Sequence, residues 1–199
     1  MFIVPRLRHL LLLAAAVSLP ACQLTEPTRA KRKMDEIPPP KVATREAGKT
    51  GKPTLGLTGA QGNRGDVVSV SAKLSAAGAR IAGTQNDIVF DPTQIAIARE
   101  ASGKPACTAN RQLQKDATAF SFVPKDCGNN CTTVRALVLS LSNVEPIPDG
   151  SVLYTCRVQI RPEAASGTQR LKLTRVGFSD STGRAIDGVG EDGMITVAK

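Results

Sequence analysis

Four cysteines, Cys107, Cys127, Cys131 and Cys156, and a scatter of acids, Asp87, Asp91, Asp149, Asp180, Asp187, Glu191 and Asp192, are the side chains here with bonding or proton chemistry to offer. The C-x3-C spacing of Cys127 and Cys131 suits a small disulfide loop, a redox pair or half of a thiolate metal site. The acids offer hard oxygen ligands for calcium at the rim of a fold, or two carboxylates for glycoside hydrolysis. Neither reading is supported by spacing. The acids show no EF-hand-like repeat, nothing sets a pair across a cleft, and turn formation accounts for most of them. The only histidine is His9, near the N-terminus. Without a histidine in the rest of the chain, Ser or Thr nucleophiles lack their usual base, and His-ligated metal sites are excluded. The chain has no Trp and a single Tyr, Tyr154, which disfavours a platform for stacking sugar rings. No catalytic activity and no cofactor are expected.

The segments that must position these groups begin with an export leader, residues 1–21. Arg6 and Arg8 make its positive start, and the apolar run from Leu10 to Val17 its centre. That run is shorter than the roughly 20 residues needed to span a bilayer. Leu19-Pro20-Ala21-Cys22 follows and resembles the lipobox of bacterial lipoproteins. The resemblance implies a lipidated Cys22 as first mature residue and a membrane-anchored, exported protein. Gln23, where an Asp would resemble an inner-membrane retention signal, favours the outer membrane. Residues 22–53 are polar, basic and Pro-rich, and read as a flexible tether. Its cluster Arg29-Ala30-Lys31-Arg32-Lys33 is read as solvated linker or as a contact for anionic headgroups.

Charge follows this division. The chain carries 26 Lys and Arg against 17 Asp and Glu, a formal net charge of +9. Residues 1–65 hold 11 basic and 4 acidic side chains, leaving 15 and 13 over residues 66–199. The domain is therefore near neutral and poor in aromatics, which argues against nucleic-acid binding.

The remainder, residues 54–199, forms one domain organised around Val134 to Ile160. Two alternating apolar runs there flank Pro-Asp-Gly, the pattern of two core strands joined by a tight reversal. Short apolar runs recur between turn signals, predicting an all-β sandwich of about nine strands. These are Thr54–Leu57, Asp66–Leu74, Ile81–Phe90, Gln94–Arg99, Thr118–Val123, Val134–Ser142, Val152–Ile160, Gln169–Phe178 and Met194–Ala198. Residues 101–116 are expected to form a long loop with a helical turn at Asn110–Gln114.

Four stretches carry a family resemblance. Gly65-Asp66-Val67-Val68-Ser69-Val70 resembles the opening strand of cohesin domains, the modules that bind dockerins. Ile81-Ala82-Gly83 with Ile88-Val89-Phe90-Asp91-Pro92 is similar to their third strand. Ile147-Pro148-Asp149-Gly150 before Val152-Leu153 resembles the approach to their seventh. Asp192-Gly193-Met194-Ile195-Thr196-Val197 resembles their last. The resemblance implies a nine-stranded jelly roll and a protein partner held on the sheet of the third, fifth, sixth and eighth strands. It places Gln85 and Asp87 on that face. The four cysteines depart from the typical cohesin, and the Cys127–Cys131 loop, between the fifth and sixth strands, is expected to reshape it.

An exported protein meets an oxidising compartment, and four cysteines allow three pairings. The favoured pairs are Cys127–Cys131, closing the turn between two strands, and Cys107–Cys156, tying the long loop to the core. The second follows from the resemblance, because the fourth and seventh cohesin strands are neighbours. The resulting expectation is a lipid-anchored, non-catalytic binding module for a protein partner, a dockerin-like one included. The alternatives are a carbohydrate-binding module serving polysaccharide catabolism and a structural envelope lipoprotein. Cys22→Ala is expected to move the protein from the membrane to the soluble fraction, as fractionation and mass spectrometry of the N-terminus would show. Unchanged membrane association would remove the lipid anchor from this reading.

Overall fold

A computed structural model describes residues 51–199, which lie within one compact unit. The leader, Cys22 and the basic cluster fall outside the described residues.

Thirteen strands form among the described residues. They are β1 (Thr54–Leu57), β2 (Ala60–Gly62), β3 (Val67–Ser75), β4 (Gly83–Val89), β5 (Ile95–Ile97), β6 (Cys107–Ala109) and β7 (Ala119–Val123). They continue as β8 (Thr133–Val138), β9 (Val152–Ile160), β10 (Gly167–Ser179), β11 (Ala185–Ile186), β12 (Val189–Glu191) and β13 (Gly193–Val197). The first sheet runs β12-β1-β3-β9-β5, with β6 also paired to β9. The second runs β2-β13-β10-β4-β8-β7, with β11 paired to β10. The expected all-β sandwich is present.

Side-chain alternation builds both sheets. In β3, Val70, Ala72 and Leu74 are buried, while Ser69, Lys73 and Ser75 between and beyond them are exposed. In β9, Tyr154, Cys156, Val158 and Ile160 turn inward, and Arg157 turns out. They meet Ile88 of β4 and Val134, Ala136 and Val138 of β8 in one core. Period-2 patterning thus converts directly into two inner faces. Within that core the Tyr154 hydroxyl donates to Asn86 Oδ1 at 2.9 Å, and the Phe120 ring meets Tyr154 edge-on at 5.2 Å. Burial pushes the Tyr154 hydroxyl well above the usual phenol range, so it stays a donor.

The expected reversal between Val134 and Ile160 is not a hairpin. β8 pairs with β4 and β7, whereas β9 pairs with β3, β5 and β6 in the opposite sheet. Residues 139–151 carry the chain across the sandwich, with Ile147 buried on the way. The expected strand to Ser142 stops at Val138. Ser140 Oγ there accepts from the backbone N–H of Ser142 and of Asn143, turning the chain out. Alternation specifies which face of a strand is buried, and two strands facing across a core satisfy it as well as two side by side. Ahead of β9, Asp149 Oδ1 accepts from Ala76 N at 2.6 Å, and Gly150 adopts φ 76°, a conformation that favours glycine.

All nine expected strands occur, Thr54–Leu57 and Val152–Ile160 with the expected ends and the other seven with shifted ones, and four short ones are additional: β2, β6, β11 and β12. The expected loop over residues 101–116 contains β6 and a 3-10 turn at Arg111–Leu113, capped by the Asn110 side chain. β6 aligns Cys107 directly opposite Cys156 of β9. Both expected disulfides form, Cys107–Cys156 and Cys127–Cys131.

The sequence separations are 49 and 4 residues. In the chain-entropy description the long loop stabilises by about 4 kcal/mol and the short one by about 2 kcal/mol. Denaturant unfolding of Cys107→Ser/Cys156→Ser is therefore expected to show about twice the loss of Cys127→Ser/Cys131→Ser. Equal losses would mean that native contacts, not loop closure, set the contribution.

Candidate binding face

The outward face of the second sheet is set by register. Across β10, β4, β8 and β7 one row reads Gly177, Gln85, Leu137 and Ala119. The next reads Thr174, Asp87, Arg135 and Ser121, and the third Lys172, Val89, Thr133 and Val123. Gln85 is exposed, and its side chain lies over Gly177, where a Cβ would sit 3.3 Å from Gln85 Cγ.

Asp87 faces the same way but is sealed. Arg135 grips it in a bidentate pair, Nε to Oδ1 and Nη2 to Oδ2, both at 2.8 Å. The pair leaves the Asp87 side chain 7% exposed and that of Arg135 43%. A bulge in β10 between Thr174 and Gly177 puts Arg175 at φ 50° and brings its Nε to 3.9 Å from Asp87 Oδ2. Asp87 thus stands on the expected face by register, with its carboxylate covered by Arg135. A carboxylate opposite an arginine on the neighbouring strand is neutralised by it, so Asp87 anchors and Arg135 and Arg175 are presented.

Beside this basic ridge lies an apolar trough of about 290 Å³, lined by Leu137, Leu139, Gly177, Phe178 and Ala185. Leu141, two residues beyond Leu139, is 88% exposed. The face therefore joins an apolar depression to two guanidiniums, a surface complementary to an amphipathic segment carrying acids.

The Cys127–Cys131 loop does not lie over these rows. Its carbonyls accept from residues that follow strands of the first sheet: Gly128 O from Arg99, and Asn129 O from Arg161 at 3.4 Å. The expected reshaping of the face is instead a closure between the sheets.

Most of the other acids are engaged by neighbouring groups. Asp91 accepts from Thr93 N and Oγ1, and Asp180 from Thr182 N and Oγ1. Those bonds hold both carboxyls below the usual range. Asp192 accepts from Leu173 N and pairs with Arg170. Asp187 and Glu191 are exposed on the stretch from β11 to β13. Among the described residues no group of three or more His, Cys, Asp or Glu side chains is placed to hold a metal ion.

Sequence reasoning placed Gln85 on the face and missed Arg135, Leu137 and Leu139. The signal was present, since the alternation of β8, continued one residue past its end, puts these three opposite the buried Val134, Ala136 and Val138. Arg175 had no such signal, because a bulge breaks the alternation that would have placed it.

With this geometry in hand, solved structures supply the comparison. The fold is similar to that of the sixth cohesin of scaffoldin B from Acetivibrio cellulolyticus, solved with a dockerin. That match has TM-score 0.57 at 18% identity, covering 74% of this chain and 99% of that one. It is similar as well to a type I cohesin from Clostridium thermocellum in complex with its dockerin, TM-score 0.57 at 13% identity, over 74% and 99%. A non-cellulosomal cohesin from the archaeon Archaeoglobus fulgidus matches with TM-score 0.55 at 11% identity, over 75% and 93%. The domain has the cohesin fold. At these identities the fold is what is shared, and neither a family model nor a curated protein matches the sequence.

Arg135→Ala leaves Asp87 with only the distant Arg175, and a buried carboxylate without its partner is destabilising. Arg135→Ala is expected to lower Tm more than the double variant Asp87→Ala/Arg135→Ala, measured by calorimetry. Strictly additive losses would show that the two side chains act separately.

Proposed function

We propose that this domain is a non-catalytic protein-binding module that docks its partner on the outward face of the second sheet. The observation that carries the reading is the apolar trough at Leu137 and Leu139 beside the Arg135–Arg175 ridge. Cohesins of the same fold were solved bound to dockerins, which supports a protein partner and makes a dockerin-like one the first candidate. The chain's own cysteines support an exported, oxidising setting, with Cys22 as lipid anchor and residues 22–53 as tether. Glycan binding ranks below it. Tyr154 is buried, as are Phe90, Phe122 and Phe178, and Phe120 packs on Tyr154, so the described residues present no aromatic platform.

A pull-down with the oxidised mature protein against envelope and secreted proteins tests the reading, with and without calcium. The partner captured is expected to lose about tenfold or more in affinity with Leu137→Asp, as for an interface anchor, and nothing with Lys73→Glu on the first sheet. Loss on chelation would point to a calcium-loaded, dockerin-like partner. Capture insensitive to Leu137→Asp would move the docking site off this face.

A further inference from the structure

A second cleft, independent of the docking face, lies where β5 and β9 approach the Cys127–Cys131 loop. It encloses about 320 Å³ between Phe90 and Phe122 and three arginines, Arg99, Arg157 and Arg161. No Asp or Glu lines it. The ion pairs among the described residues join Arg135 and Arg175 to Asp87, and Arg170 to Asp192, all outside this cleft. Of the carboxylates near in sequence, Asp66 accepts from Asn63 N, Asp91 is bonded to Thr93, Glu100 accepts from Ser102 Oγ, and Asp126 and Glu163 are exposed. Three guanidinium charges thus gather around one cavity without a carboxylate lining it.

Two of them are held in place by neutral groups. Arg99 donates to Gly103 O at 2.6 Å and to Gly128 O, with its guanidinium carbon 4.1 Å above the Phe122 ring. Arg161 donates through Nε to Pro92 O at 3.0 Å and through Nη2 to Asn129 O. Carbonyls and a ring face orient a cation without cancelling its charge, so the ordering is complete before any ligand arrives. Arg157 stands on the outward face of β9; its backbone N–H donates to Ala106 O, and its side chain donates no hydrogen bond among the described residues. Its donors are free to close on a ligand.

We propose that this cleft is a binding site for an oxyanion, a phosphoryl or carboxylate group, held by Arg99, Arg157 and Arg161. Planar guanidiniums present paired donors that match the oxygens of either group. The site uses the disulfide loop as a fixture: Cys127–Cys131 constrains the segment whose Gly128 and Asn129 carbonyls set the two anchored arginines.

The test is an NMR titration of the full oxidised mature chain, following the amide resonances of Gly128, Asn129 and Gln159. Inorganic phosphate is one probe and benzoate the other. Saturable shifts with either, weakened about tenfold or more in Arg157→Gln, establish the site. Tighter phosphate binding assigns the natural group to a phosphoryl ester, and tighter benzoate binding to a carboxylate on an apolar body. Arg157→Gln is the informative variant because its side chain supports no other part of the fold; Arg161→Gln provides a second reading. Absence of saturable shifts at millimolar probe, or equal binding by both variants and the parent, overturns the proposal.

Discussion

The packing of β9 against β4 and β8 across the sandwich is the constraint on which the rest of the structure depends. β9 pairs with three others, β3, β5 and β6, while its inward side chains fill the centre of the core. Each fully buried Val, Leu, Ile or Phe contributes roughly 1.5–3 kcal/mol relative to exposure. Register follows from this. A slip of one residue in β9 would put Arg157 and Gln159 into the core and expel Cys156 and Val158. The Cys107–Cys156 bridge then ties β6, itself only three residues long, to this central strand.

With the inner faces committed to packing, function is left to the outer ones. On the second sheet, cross-strand pairing turns an acidic position into a support: Asp87 is covered and Arg135 is what a partner meets. The β10 bulge adds Arg175 to the same spot. Polar character on this face thus comes from a pair and a bulge, with the apolar trough beside it.

The Cys127–Cys131 loop belongs to the second sheet by sequence and to the first by contact. Arg99 and Arg161 reach it from the ends of β5 and β9, and Arg99 lies on Phe122 of β7. β5 and β7 are the terminal strands of their sheets, so these contacts join two edges that would otherwise lie open. The same contacts leave positive charge concentrated beside the loop.

Much of this was legible in the sequence alone. Period-2 alternation with turn residues between the runs determined an all-β sandwich and the approximate position of nine strands, because burial of one face requires that pattern. Composition determined the neutral character of the domain and the absence of histidine chemistry in it. Only the tertiary structure decided which strands are neighbours. Val134–Val138 and Val152–Ile160 look like a hairpin locally and belong to opposite sheets, since alternation records the buried face and not the partner strand. Pairing decided as well that Asp87 is sealed by Arg135, and that Arg99, Arg157 and Arg161 share one cleft although 62 residues separate the first from the last. Charges distant along the chain acquire a common site only when strand order and the disulfide loop bring their strands together.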